Sequence, residues 1–196
     1  MSKNYTTSKS LLCKLKERYD ESAWEEFAAT YRGYIYRIIV NLDIDKHDAE
    51  DLLQTVMLKL WQRLPDFDYN PEKGRFRYFI VRITKNYVYK FLNREGRKKS
   101  VITPGEDLVE SSTLEPEIEK LAEKEWRLFV SEKAWDNISP QFNDTVKQVF
   151  LMNAEGISYE EIAEKLDIKV SAAYVYRQRI RKALQSEISR LEYELG

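Results

Sequence analysis

The chain has 196 residues, 43% of them hydrophobic, which is enough for a packed core in one large or two small domains. Its 32 basic and 33 acidic side chains give a net charge of -1, which argues against a protein that coats nucleic acid by bulk charge but leaves room for local basic patches. One cysteine (Cys13) and one histidine (His47) permit no intramolecular disulfide and speak against a zinc site or a Cys-His pair.

The start, "MSKNYTTSKS", is polar and has no signal-peptide core, and no apolar run is long enough to span a bilayer, so the chain reads as cytoplasmic. Six glycines and five prolines among many Leu, Glu, Lys and Arg favour an all-α chain. Residues 1–20 hold a short amphipathic piece to which the sequence assigns no role. Next, Trp24, Phe27, Ala28, Tyr31, Ile35 and Ile38 recur at three- and four-residue steps, as on one helix face. A second helix is predicted after "NLDIDKHDAEDL", with Asp48 as N-cap and Asp51 in its first turn. Leu52, Leu53, Val56, Met57, Leu60, Trp61 and Leu64 form its apolar stripe, and Pro65 ends it.

"PDFDYNPEKG" is a loop, and a helix is predicted from Arg75 to about Arg94. At about 100° per residue, Phe76, Phe79, Ile80, Ile83, Tyr87 and Phe91 share one face. Tyr78, Arg82, Lys85, Tyr89 and Asn93 share the other, with Asn86 at its edge. Charge is unevenly placed. Arg75 to Lys99 holds nine basic residues and one acid, whereas Gly105 to Glu125 holds eight acids and two lysines. "SVITPGEDLVESSTLEP" between them has linker chemistry, which places a domain boundary there.

In the C-terminal half, "EKEWRLFVSEKAWDNIS" reads as an amphipathic helix. "SPQFNDTVKQVFLMNAEG" reads as another, with Ser139 as N-cap, Pro140 at the first helical position and Gly156 past the end. "GISYEEIAEKLDIKVSAAYVYRQRIRK" is two short helices about a tight turn. Ser158 and Glu161 make a capping box. Ile162, Ala163 and Leu166 face inward, Ile168 plugs the turn, and Val170, Ala173, Tyr176, Ile180 and Leu184 line the inner side of the second helix. Ser171, Tyr174, Val175, Gln178, Arg179 and Lys182 lie outward. Such a unit grips DNA or is the basic edge of a bundle, and the acid-free second helix favours DNA. Gln178 and Arg177 suit base edges, and Ser171, Arg179, Arg181 and Lys182 suit phosphates. The basic-aromatic face on the Arg75 helix suits an unpaired strand, with bases stacked on tyrosines and cations along the backbone; packing on another helix is the competing reading.

"DAEDLLQTVMLKLWQRL", "GRFRYFIVRITKNYVYKFLNR" and "GISYEEIAEKLDIKVSAAYVYRQRIRKAL", in that order, resemble a bacterial RNA polymerase sigma factor of the extracytoplasmic-function group of the sigma-70 family. The resemblance covers nearly all of the chain after residue 20. It implies two small helical domains joined by a flexible linker: region 2 over 1–97, a linker over 98–120, and region 4 over 121–196. Asp48, Asp51, Gln54 and Lys59 would dock on core polymerase. Arg75, Tyr78, Arg82, Lys85, Asn86, Tyr89 and Lys90 would recognise and melt the minus-ten element. Ser171, Tyr174, Arg177, Gln178, Arg179, Arg181 and Lys182 would contact the minus-thirty-five element. The implied partners are core RNA polymerase, promoter DNA as duplex and melted strand, and an anti-sigma factor, with no cofactor, no metal and no catalysis. Three features depart from the family pattern: Ala172 and Ala173 in place of a Thr-Val pair, bulky Tyr174 and Tyr176, and Asp167 where Gly is frequent. They bear on the promoter sequence read rather than on the role. A helix-turn-helix regulator with a sensor domain is the alternative, but it has no need of the basic-aromatic helix. An enzyme is disfavoured because Asp48, Glu50 and Asp51 are explained by a helix start. The end at Gly196 leaves no expected further C-terminal domain.

Overall fold

The computed structural model describes residues 8–17, 20–70, 75–97 and 115–196. These residues contain eight α-helices, one 3-10 turn and no strand, as an all-α chain predicts. Residues 98–114, most of the expected linker, lie outside them, as do positions 71–74 of the predicted loop. The described residues form two compact units. One holds α1 to α4, the start of α5 as far as Arg127, and residues 194–196; the other runs from Leu128 to Tyr193.

In the N-terminal unit, α1 (Ser8–Leu15) buries Leu11, Leu12 and Leu15, so the amphipathic piece near the start is part of this core. α2 (Glu21–Val40) begins at Asp20, whose carboxylate accepts from the Ala23 backbone N–H at 2.9 Å; that bond holds the carboxyl below its usual pKa. Phe27, Tyr31, Tyr34, Ile35, Ile38 and Ile39 of α2 are buried. α3 (Lys46–Arg63) packs on α2, with Leu52, Leu53, Val56, Met57 and Leu60 inside. Its N-cap is Asp45, which accepts from His47 N–H at 2.9 Å; Asp48, the predicted cap, falls within the first turn. "DIDKHDAED" offers several acids that can cap, and Asp45 does so because the helix extends back to Lys46.

α4 (Phe76–Arg97) packs on α2 and α3. Phe76, Phe79, Ile80 and Ile83 are buried as the periodicity predicts, but so are Arg77, Val81, Thr84 and Val88. α4 therefore has two buried sides. α5 (Glu115–Ile138) accounts for the second: its first half buries Ile118, Ala122 and Trp126, and the Tyr34 hydroxyl donates to the Ala122 carbonyl at 3.1 Å. α5 thus starts inside the 98–120 stretch read as linker. Pro116 is tolerated in the first turn, and Ile118, Ala122 and Trp126 form one stripe at four-residue steps.

In the C-terminal unit the rest of α5 is followed by a 3-10 turn (Ser139–Gln141), α6 (Asp144–Ala154), α7 (Tyr159–Lys165) and α8 (Val170–Leu195). Ser139 and Pro140 open the 3-10 turn rather than α6. Phe142 is extended, and Asn143 caps α6 by accepting from Val146 N–H at 3.0 Å. Two clusters form the core: Ile138, Val146 and Ile180 in one, Val149, Ile162 and Ala173 in the other, with Tyr176 packed against both.

Candidate nucleic-acid and docking interfaces

The α7–α8 pair is shaped by its caps. Ser158 and Glu161 form the predicted capping box: Ser158 Oγ accepts from Glu161 N–H at 3.3 Å, and the Glu161 carboxylate accepts from Ser158 N–H at 3.1 Å. The Ser158 hydroxyl also donates to the Glu161 carboxylate at 2.8 Å, and this bond, followed by that from Ser158 N–H, holds the carboxyl below its usual pKa. Before α7, Gly156 adopts φ +90°, with Ile157 N–H bonded to Met152 O and Gly156 N–H to Asn153 O. After α7 the same motif recurs on Asp167 at φ +50°, with Ile168 N–H bonded to Ala163 O and Asp167 N–H to Glu164 O. Asp167 therefore occupies the left-handed position that favours glycine, which explains its place in the turn.

α8 presents Ser171, Tyr174, Val175, Gln178, Arg179, Arg181 and Lys182 to solvent. The Arg179 guanidinium lies 6.0 Å from the Phe142 ring. Arg177 is half-buried beside the inner row, which removes it from the outward set that Gln178 joins. Val170, predicted inward, is exposed. The Tyr174 ring stacks on Tyr159 of α7, centroids 3.8 Å apart and 27° from parallel, a contact between residues too far apart in sequence for any periodicity to signal. The first acid on α8 is Glu187, held below its usual pKa chiefly by Arg190, so the first four turns of the helix carry only positive charge.

Arg75, just before α4, and Tyr78, Arg82 and Lys90 on it are exposed, while Asn86 and Tyr89 are half-buried. Arg82 lies 5.7 Å from the Phe79 ring and Lys90 5.7 Å from the Tyr87 ring. Lys85 is not a free surface cation: its side chain is 12% exposed and its ammonium pairs with Glu119 of α5 at 3.3 Å. Beside it, Arg77 pairs with Glu123 at 2.9 Å, and its guanidinium lies 5.1 Å from both the Tyr78 and Trp126 rings. Tyr34, Arg77, Tyr78, Val81, Arg82, Lys85, Glu119 and Glu123 line a groove of about 410 Å³. Arg77 lies on neither face that the periodicity of this helix picks out.

On α3, Asp48, Asp51 and Gln54 are exposed, and Lys59 is half-buried with its ammonium donating to Gln62 at 3.4 Å. Leu58, one turn from Gln54, is 57% exposed, an apolar side chain that inward-stripe reasoning passed over. None of the described helices is long and apolar enough to cross a membrane.

Two family models match the chain. Sigma-70 region 2 matches residues 27–98, which hold most of α2 with α3 and α4, and Sigma-70, region 4 matches residues 143–184, which hold α6, α7 and the first half of α8. Among curated proteins, the ECF RNA polymerase sigma factor SigE of Mycolicibacterium smegmatis is 28% identical over 163 residues, 83% of this chain and 59% of that protein. The ECF RNA polymerase sigma-E factor of Haemophilus influenzae is 22% identical over 184 residues, 88% of this chain and 90% of that one. The chain thus spans under two thirds of the mycobacterial relative and most of the other. A solved structure of CnrH in complex with the cytosolic domain of CnrY aligns with 93% of this chain and 97% of that one at 17% identity, with a TM-score of 0.38.

Proposed function

This chain belongs to the sigma-70 family, and from that premise we propose that it is an extracytoplasmic-function sigma factor, the subunit that directs core RNA polymerase to particular promoters and helps open the DNA. The observation that carries this reading is the pairing, in one chain, of a helix-turn-helix whose second helix bears no acid before Glu187 with a separate basic-aromatic helix. A duplex is gripped by the first, through base edges and phosphates. An opened strand suits the second, where Tyr78 offers a ring and Arg75, Arg82 and Lys90 offer charge.

In this reading α8 contacts the minus-thirty-five element through Ser171, Tyr174, Gln178, Arg179, Arg181 and Lys182, with Arg177 set back from it. α4 contacts the minus-ten element, and the chain passes from the N-terminal to the C-terminal unit within α5. The exposed row Asp48, Asp51 and Gln54, with Leu58 added to it, docks on core polymerase. The chain works in the cytoplasm and performs no chemistry itself, since polymerisation belongs to the core enzyme. An anti-sigma factor is the further partner suggested by family membership.

The test is pull-down of core RNA polymerase by the chain, followed by run-off transcription on a promoter library. Core binding with selection of a two-part promoter is the expected result. DNA binding without core binding would leave the helix-turn-helix regulator instead.

A further inference from the structure

The first two turns of α8 hold an apolar surface that phosphate binding does not explain. Val175 is 56% exposed and Tyr174 48% exposed, on a face otherwise made of Ser171, Gln178 and Lys182. At about 100° per residue, Tyr174 and Val175 flank the row Ser171–Gln178–Lys182 on either side. Tyr174 is also held in place. Its ring stacks on Tyr159. The Tyr159 hydroxyl lies 3.5 Å from Asn153 Oδ1, and Asn153 Nδ2 donates to the Ile157 carbonyl at 3.4 Å. A relay therefore runs from the α6 cap through Tyr159 to Tyr174. A restrained ring loses less rotamer freedom on contact than a free one.

Of the groups displayed in the major groove, one is apolar: the 5-methyl of thymine. Residues near the start of a recognition helix are those that reach base edges. We propose that Tyr174 and Val175 form an apolar reading edge for thymine methyl groups in the upstream promoter element, and that Tyr159 is the positioning residue for Tyr174. This rests on the reading of α8 as the minus-thirty-five helix and adds what that helix reads. It also gives a use to the bulk of Tyr174, one of the features that sets this helix apart from the family pattern.

The test uses holoenzyme assembled from the chain and core polymerase. The upstream element is first defined by promoter selection. Each of its thymines is then replaced singly by deoxyuridine, which removes the methyl and changes no hydrogen bond, and holoenzyme binding is measured. The wild type should lose about fourfold at one or two positions, the worth of one buried methyl-sized group. Val175→Ala should erase the loss at one of these positions. Tyr174→Ala and Tyr159→Ala should erase it at a shared position. Tyr159→Phe, which keeps the stacked ring, should restore it. Melting temperatures close to wild type separate positioning from damage to the fold, and Tyr159→Phe decides if Tyr159→Ala is unstable. An element without thymine, indifference of the wild type to every replacement, or methyl sensitivity that persists in Tyr174→Ala and Val175→Ala each overturn the proposal. Holoenzyme that forms and selects promoters yet shows those results sinks this inference alone; failure to bind core or to select any promoter sinks the sigma reading beneath it.

Discussion

The Arg77–Glu123 pair should respond to mutation in an order opposite to intuition. The Arg77 side chain is 5% exposed, while Glu123 is 40% exposed. Among the described residues, Glu123 is the one carboxylate paired with Arg77, and the buried Nε and Nη1 find no hydrogen-bond partner. Glu123→Ala leaves a buried guanidinium without its counter-charge. Breaking a fully buried pair costs about 3–5 kcal/mol, and water around the half-open Glu123 site lowers the expectation to about 2–3 kcal/mol. Arg77→Met keeps an unbranched stem against Trp126 and Tyr78 and leaves behind a carboxylate that water can reach. It forfeits cation–π contacts worth about 0.5–1 kcal/mol at each ring but removes the desolvation cost of the guanidinium, so its net effect should stay within about 1 kcal/mol.

The double variant Arg77→Met/Glu123→Ala should then be nearly as stable as Arg77→Met alone, a coupling of about 2–3 kcal/mol. Urea unfolding of the four proteins measures this, and Trp126, beside the guanidinium, supplies a fluorescence signal from the affected unit. If Arg77→Met costs more than Glu123→Ala, or if the two effects simply add, the account of Arg77 as a buried charge dependent on Glu123 is refuted.

Three other outcomes follow from the same reasoning. Asp167→Gly should stabilise the C-terminal unit by about 0.5–1 kcal/mol, because glycine takes the left-handed φ without the steric cost borne by an L side chain; amide exchange at Ala163 and Ile168 reads it, and a loss of protection counts against it. Tyr31 and Tyr34 are buried with their hydroxyls bonded to the Leu195 and Ala122 carbonyls, and burial raises both phenols above their usual pKa. A raised folded-state value means that their stability is fully present below about pH 10 and is lost as pH climbs beyond it, so the N-terminal unit should unfold in alkali, with Tyr31→Phe shrinking the pH dependence. Leu58→Asp should weaken core polymerase binding at least tenfold in a pull-down titration without moving the melting temperature, since the side chain is already exposed.

Much of this was legible because helices bury regular stripes. Leu52 to Leu60 on α3, the Ser158–Glu161 capping box and the inward row Ala173, Tyr176 and Ile180 all follow from spacing alone. What escaped did so for identifiable reasons. Caps are degenerate where candidate residues crowd, so Asp45 and Asn143 act where Asp48 and Ser139 are equally plausible on paper. The second buried side of α4 contains Arg77 and Thr84, polar residues that break an apolar count, although Thr84 is satisfied by the Ile80 carbonyl at 2.9 Å. The first turns of α5 sit in acidic, linker-like composition. Only the partner surface on α2 and α4 turns Ile118, Ala122 and Trp126 into core.

The step in charge along the chain, basic through Lys99 and acidic through Glu125, has a spatial counterpart in the N-terminal unit. Glu119 meets Lys85 and Glu123 meets Arg77, so acids from the second stretch lie on cations from the first. A count of charge by position therefore overstates what α4 offers to a phosphate backbone. Arg75, just before the helix, and Arg82, Lys90 and Arg94 on it are exposed cations, whereas a phosphate arriving at Lys85 must exchange with a carboxylate rather than with water. The α8 face has no such counterweight before Glu187. Near neutrality of the whole chain is thus compatible with two unequal nucleic-acid faces: an openly basic one on α8, and one on α4 whose central cations are already engaged by α5. Local pairing, rather than the net charge of -1, governs what a nucleic acid meets on each.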